Sequence, residues 1–255
     1  MSEKMEITGI LTAYTAAGQG RDVILLHGWG SKKELMQKIA DHLDAHFRVW
    51  NLDFPGFGES GLPPCAWGVP DYENFLAAFI QAEKIENPIL IAHSFGCRVA
   101  IRYCADHPGQ VRKMCLTGAA GIRPKRDLGW YLRTGTYKAG KKLVQLSGSR
   151  KLMEQMQSSA GSEDYRNAQG VMKPTFVKVV NDDVTPVLGN VKCPVLLVWG
   201  DQDTAAPLWM GREMEQKMPD AGLAIFEGDD HWAYYHQADR FNRCLDIFLK
   251  EDQTL

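Results

Sequence analysis

Apolar and polar positions change their rhythm repeatedly along the chain. Short apolar runs rich in β-branched and aromatic residues stand at 23–26, 47–53, 89–91, 111–117, 195–199 and 223–226, and a weaker alternating run spans 7–14. The runs at 23–26, 89–91, 195–199 and 223–226 are apolar throughout and predict strands buried on both faces of a parallel sheet; 47–53 and 111–117, with polar residues among the apolar ones, are further strand candidates. Between them the apolar positions take helical spacing: Leu35, Met36, Ile39 and Leu43; Tyr72, Phe75, Leu76, Phe79 and Ile80; Val99, Ala100, Ile101, Tyr103 and Cys104; a segment at 208–218; and Phe241, Cys244, Leu245, Ile247 and Phe248. These predict amphipathic helices. Strand and helix in turn predict an α/β fold, a doubly wound and mainly parallel sheet.

The alternation stops at 121–190. That stretch holds Trp130, Tyr131, Tyr137, Leu143, Leu146, Met153 and Met156 without a convincing strand. We read it as a helical insertion capping the strand ends, which divides the chain into a core of 1–120 and 191–255 and a cap of 121–190.

Candidate chemistry collects at the ends of the predicted strands, where ligands bind in open α/β sheets. Ala92-His93-Ser94-Phe95-Gly96 follows the strand at 89–91 and precedes a helix. This is the strand–turn–helix setting of a nucleophile elbow, with Ala92 in place of the first glycine. Small residues are required there because a tight, strained turn presses against the neighbouring strand and helix. His27-Gly28-Trp29-Gly30 ends another strand, Gly200-Asp201-Gln202-Asp203 a third, and Gly228-Asp229-Asp230-His231 a fourth. A serine that merely caps a helix would look the same at 94 taken alone. The coincidence of several such residues at strand ends favours a catalytic reading.

Composition narrows the classes. The net charge of −2, with no basic arm, gives no reason to expect nucleic acid as a partner. No apolar run is long enough to span a membrane. The six cysteines form no C-x-x-C pair, and Cys97, Cys104 and Cys115 lie in apolar patterns, as free thiols of a reducing compartment do. The N-terminal residues lack the apolar core of a secretory leader, so the expected location is cytoplasmic. The histidines and aspartates show no metal-ligand spacing, and neither a metal nor another cofactor is expected.

The residues His27-Gly28-Trp29-Gly30, Asp53-Phe54-Pro55-Gly56-Phe57-Gly58-Glu59-Ser60, Ala92-His93-Ser94-Phe95-Gly96, Gly200-Asp201-Gln202-Asp203 and His231 behind Gly228 resemble the α/β-hydrolase superfamily, in its order of Ser, Asp and His. Within it the chain resembles capped, esterase-like members, a group that includes biotin-pathway carboxylesterases and carbon–carbon bond hydrolases. The resemblance implies that Ser94 is the nucleophile, His231 the general base and Asp203 the acid that orients it. It also implies an oxyanion hole made by the backbone N–H groups of Trp29 and Phe95. Asp201 competes with Asp203, and the second aspartate matches the family position. His93, Trp130, Tyr131 and Tyr137 are the candidate pocket residues.

The expected substrate is a small-molecule ester or related carbonyl compound. Vinylogous diketones cleaved at a carbon–carbon bond are an alternative, and so is a non-catalytic small-molecule receptor on the same fold. Residues 121–160 carry nine Lys and Arg against two acids in an otherwise acidic chain. These are either solvated helix faces or a field that steers an anionic or carrier-bound substrate.

Overall fold

The computed structural model describes residues 2–123, 144–145, 149 and 162–253. Eight strands form one sheet in the order β1-β2-β4-β3-β5-β6-β7-β8: β1 Glu3–Ile7, β2 Ile10–Ala17, β3 Arg21–Leu26, β4 Phe47–Leu52, β5 Ile89–His93, β6 Lys113–Thr117, β7 Val195–Gly200 and β8 Ala221–Phe226. β1 and β2 pair antiparallel, β2 joins β4 antiparallel, and every other pairing is parallel. The expected doubly wound, mainly parallel α/β sheet is the one observed.

The apolar runs work as the period of a strand requires. In β3, Val23 and Leu25 face one core while Ile24 and Leu26 face the other; in β5, Ile89 and Ile91 oppose Leu90 and Ala92 in the same way. The core of Ile24, Leu26, Leu90 and Ala92 is closed by α2 (Val69–Ala82), α3 (Phe95–Asp106) and α6 (Leu208–Lys217), that of Val23, Leu25, Ile89 and Ile91 by α1 (Gln37–Leu43) and α8 (Ala238–Phe248). Phe75, Phe79 and Tyr72 of α2 are almost wholly buried. Each large apolar side chain so placed contributes about 1.5–3 kcal/mol.

Three boundaries differ from the reading of the sequence. The run at 7–14 is not one strand: a hairpin interrupts it at Thr8 and Gly9, both with positive φ (+49° and +78°), as a tight two-residue turn requires. Helix α2 starts at Val69, ahead of Tyr72, the first apolar position of its pattern; Pro70 lies in its first turn, where its missing N–H costs nothing. The C-terminal helical pattern is preceded by a separate short helix, α7 (Ala233–His236).

Between β6 and β7 the described residues contain α4 (Glu163–Asn167), α5 (Met172–Val180) and a 3-10 helix (Thr185–Asn190). Trp130, Tyr131 and Tyr137 lie outside the described residues, as do most of the basic residues of 121–160.

Candidate active site

The parallel register brings the carboxyl ends of the central strands level: Leu26 pairs with Ala92, His93 with Thr117, and Thr117 with Val198. Ser94 follows β5 directly, with φ +50° and ψ −108°. An L-residue in that conformation stores about 1–3 kcal/mol of strain and persists only where its surroundings hold it. Here the Ser94 N–H donates to the Thr117 carbonyl (3.1 Å), and its own carbonyl accepts from Cys97 and Ala120 (both 3.2 Å). Gly96 is needed because a Cβ there would stand 2.4 Å from the Leu26 carbonyl oxygen. The side chain of Ser94 makes no capping bond to α3, which removes the plain helix-cap explanation of this serine.

Asp203 follows β7 and is buried. Its Oδ1 accepts the N–H groups of Ala205 and Ala206 (both 2.8 Å), and its Oδ2 lies 2.7 Å from His231 Nδ1. Asp201 points elsewhere: its Oδ1 accepts the Gly228 N–H at 2.8 Å and organises the turn after β8. Thus Asp203, and not Asp201, meets the imidazole. Ser94 and His231 line one cavity of about 660 Å³, together with Trp29, Phe95, Phe176 and Trp232. No Ser94–His231 hydrogen bond closes among the described residues; such bonds are often long without substrate.

The oxyanion candidates sit beside the serine. Phe95 is the first residue of α3, where a main-chain N–H has no intrahelical partner and the helix dipole favours negative charge. Gly28 lets the Trp29 loop approach, since a Cβ there would lie 2.8 Å from His93 Nδ1 and 3.3 Å from Ser94 Cβ. The Trp29 ring is wedged between Phe57 (4.9 Å), Phe176 (5.1 Å) and Phe95 (5.7 Å). Phe57 is carried by the glycine-rich turn after β4, which Asp53 organises. The Asp53 carboxylate accepts from the Lys33 N–H (2.7 Å), Lys33 Nζ (2.9 Å) and the Glu59 N–H (2.9 Å). Burial alone would lower the Lys33 pKa, but its bonds to Glu59, Asp53 and Glu34 outweigh that and hold it raised. A second cavity of similar volume shares Trp29 and Asp164 with the first.

Four contributors were missed at the level of sequence. Gly118 (φ +51°) ends β6, and a Cβ there would press within 3.0 Å of His231 Nδ1 and 3.3 Å of Asp203 Oδ2. Its only signal is a glycine directly after a strand. Trp232 packs against His93, the ring centroids 4.7 Å apart and the planes tilted by 39°. Arg98 and Asp164 also line the cavity. The three ligand-type residues Asp229, Asp230 and His236 lie within 4.8 Å of one another near the surface. Hydrogen bonds to His236, Gln237 and the Trp232 N–H already use their carboxylates.

A sequence model of the alpha/beta hydrolase family matches residues 23–243. The chain belongs to the alpha/beta hydrolase family. It is 27% identical over 277 residues to the 2-hydroxy-6-oxo-6-phenylhexa-2,4-dienoate hydrolase of Comamonas testosteroni, covering 98% of this chain and 95% of that protein. It is also 27% identical over 246 residues to the pimeloyl-[acyl-carrier protein] methyl ester esterase of Chromobacterium violaceum, covering 89% and 94%. The crystal structure of a bacterial membrane phospholipase A shares its fold, with a TM-score of 0.79 at 23% identity over 100% of this chain and 87% of that one. Among the described residues no helix of this hydrolase is long and apolar enough to cross a membrane.

Two further histidines of the hydrolase are buried and neutral. His27 Nε2 accepts the Phe54 N–H (3.0 Å), so the ring proton sits on Nδ1 and goes to the Gly28 carbonyl (2.7 Å). His93 donates its Nε2 proton to the His231 carbonyl (3.1 Å), leaving a buried Nδ1 without a partner among the described residues. It braces the backbone of His231 in addition to lining the cavity. Burial lowers both pKa values below the ordinary 6.5. The unfolded chain therefore takes up protons below pH 6.5 that the folded chain refuses, and stability falls as pH falls through that value. Each histidine contributes a slope of up to about 1.4 kcal/mol per pH unit. Urea unfolding at pH 7.5, 6.5 and 5.5 should show stability level above 6.5 and declining below it. His27→Gln should make the decline shallower, and equal stability at 7.5 and 5.5 would refute the assignment.

Proposed function

We propose that this hydrolase cleaves carboxylic esters or related carbonyl substrates through an acyl-enzyme, using Ser94, His231 and Asp203. The observation that carries the reading is the 2.7 Å contact of His231 Nδ1 with a buried, doubly hydrogen-bonded Asp203, on the wall of the cavity that Ser94 also lines. In the first step the Ser94 hydroxyl attacks the carbonyl carbon and its proton passes to His231 Nε2. Asp203 fixes the tautomer that leaves Nε2 free to accept it and stabilises the imidazolium. The N–H groups of Trp29 and Phe95 receive the negative charge on the carbonyl oxygen; losing one such donor costs about 3 kcal/mol in the transition state. The C–O bond then breaks, His231 gives its proton to the leaving alcohol, and water releases the acyl group by the same steps. Each step needs only the side chains named and water.

We assign 1–120 and 191–255 to the core and 121–190 to a cap. Phe176, Val179 and Asp164 of that stretch form part of the cavity wall, which supports the division. Trp130, Tyr131 and Tyr137 remain pocket candidates by sequence. A carrier-bound acyl substrate is suggested by the methyl ester esterase relative. Carbon–carbon bond cleavage is the second reading, favoured by the dienoate hydrolase relative that the chain matches over nearly its whole length. The same triad serves both, so a panel of simple esters and vinylogous diketones separates them.

The reading is tested by labelling with a fluorophosphonate and mapping the adduct by mass spectrometry. A single adduct on Ser94 is expected. A labelled residue elsewhere, or none, rejects the serine mechanism.

A further inference from the structure

We propose that the Arg98 guanidinium binds a carboxylate carried at the far end of the substrate's acyl chain, so that the enzyme selects monoesters of short dicarboxylic acids. The inference rests on the hydrolytic reading above. Arg98 lies four residues after Ser94 on α3, one turn and about 6 Å along the axis. Long helical side chains lean toward the N-terminus, here toward Ser94. Arg98 is only 9% exposed and lines the same cavity as Ser94 and His231.

Its hydrogen-bonding capacity is largely unspent. One Nη donates to the Asp182 main-chain carbonyl. Among the described residues no carboxylate forms an ion pair with it. The Asp182 carboxylate is taken by Arg102, one turn further along α3 (2.6 and 3.2 Å), and Asp183 accepts the Thr185 N–H (3.0 Å). A guanidinium carries five N–H donors in a planar fork that matches a carboxylate. Burial lowers its pKa to about 10, with Asp182 and Asp183 opposing, so it stays charged at neutral pH. A buried cation with spare donors on the wall of a reaction cavity is completed by an anionic ligand.

The remaining wall fits the rest of such a molecule. Phe176, Val179 and Val180 supply apolar surface for methylene groups. Glu163 and Asp164 also line the cavity and repel an anion, but Asp164 borders the neighbouring cavity too, whereas Arg98 lines the one that holds Ser94 and not that neighbour. The acid group is therefore drawn to Arg98 while the ester carbonyl meets Ser94.

The experiment compares monomethyl glutarate and monomethyl adipate with the neutral methyl esters of equal chain length, on wild type, Arg98→Met and Arg98→Lys. The readout is the ratio of kcat/KM for the acid ester to that for the neutral one. Wild type should prefer the acid esters. Arg98→Met should lower the ratio at least 30-fold, through KM, and Arg98→Lys at least fivefold, because an ammonium cannot pair bidentately. In parallel, calorimetry measures monomethyl glutarate binding to Ser94→Ala, where adding Arg98→Met should weaken Kd at least tenfold. A wild type without preference, or a ratio unchanged in folded Arg98→Met, overturns the inference. If Arg98→Met does not fold, an unchanged ratio in Arg98→Lys overturns it. Arg98-dependent binding to Ser94→Ala, with wild type inert toward every ester, sustains the anion site and rejects ester cleavage instead.

Discussion

Replacing Ser94 with alanine is expected to lower kcat for a short p-nitrophenyl ester by about 10⁴-fold or more, at nearly unchanged thermal stability. Removing the nucleophile of a triad enzyme costs as much as about 10⁶ in kcat, and the residual rate comes from substrate binding and the oxyanion hole. Stability should hold for a local reason. The strained backbone at φ +50° is kept in place by main-chain bonds from Thr117, Cys97 and Ala120, none of which involves the hydroxyl. Alanine suffers the same strain as serine there and is smaller. Steady-state kinetics and a melting curve on the two proteins decide the matter. A folded Ser94→Ala enzyme with wild-type turnover would end the account of Ser94 as nucleophile, whatever the rest of the cavity looks like.

The parts of this molecule that a reader of the sequence can find are those whose physics is local. β3, β5 and β7 announce themselves because burial on both faces demands unbroken apolar runs. The elbow announces itself because Gly96 sits where a Cβ would strike the Leu26 carbonyl. The β1–β2 hairpin does not, since its first turn residue is Thr8, a residue rarely found at positive φ, and the weak alternation continues through it. Asp201 and Asp203 are alike in local pattern, both polar and both past the same strand, and only the family resemblance prefers Asp203. What separates them is a pair of N–H groups, from Ala205 and Ala206, that capture Asp203 Oδ1 and aim Oδ2 at the imidazole. Gly118 is silent because its reason is the ring of a residue more than a hundred positions away. Arg98 is silent because its neighbours on α3 read as core, and only the cavity shows where it lies. Arg123, one of the nine basic residues of 121–160, donates to the Asn181 main-chain carbonyl; the other eight lie outside the described residues.

Asp203→Asn is expected to lower kcat by about 10⁴-fold with little change in KM, whereas Asp201→Asn should stay within a few-fold of wild type. The asymmetry follows from who donates to whom. In the native site Oδ1 accepts two N–H groups, so the oxygen of an asparagine must stay on that side. Its NH₂ group then faces His231 Nδ1, where Oδ2 now stands at 2.7 Å. An NH₂ opposite Nδ1 forces that nitrogen to accept, and the ring proton moves to Nε2. An imidazole protonated on Nε2 cannot take the serine proton, which is the wrong-tautomer loss known for such substitutions. The two N–H bonds survive, so the fold should melt close to wild type. At 201 the asparagine oxygen still accepts the Gly228 N–H, and the turn persists. Kinetics of the two variants side by side test the assignment: a large loss at 201 with a small one at 203 would reverse it, and equal small losses would remove the carboxylate from the mechanism.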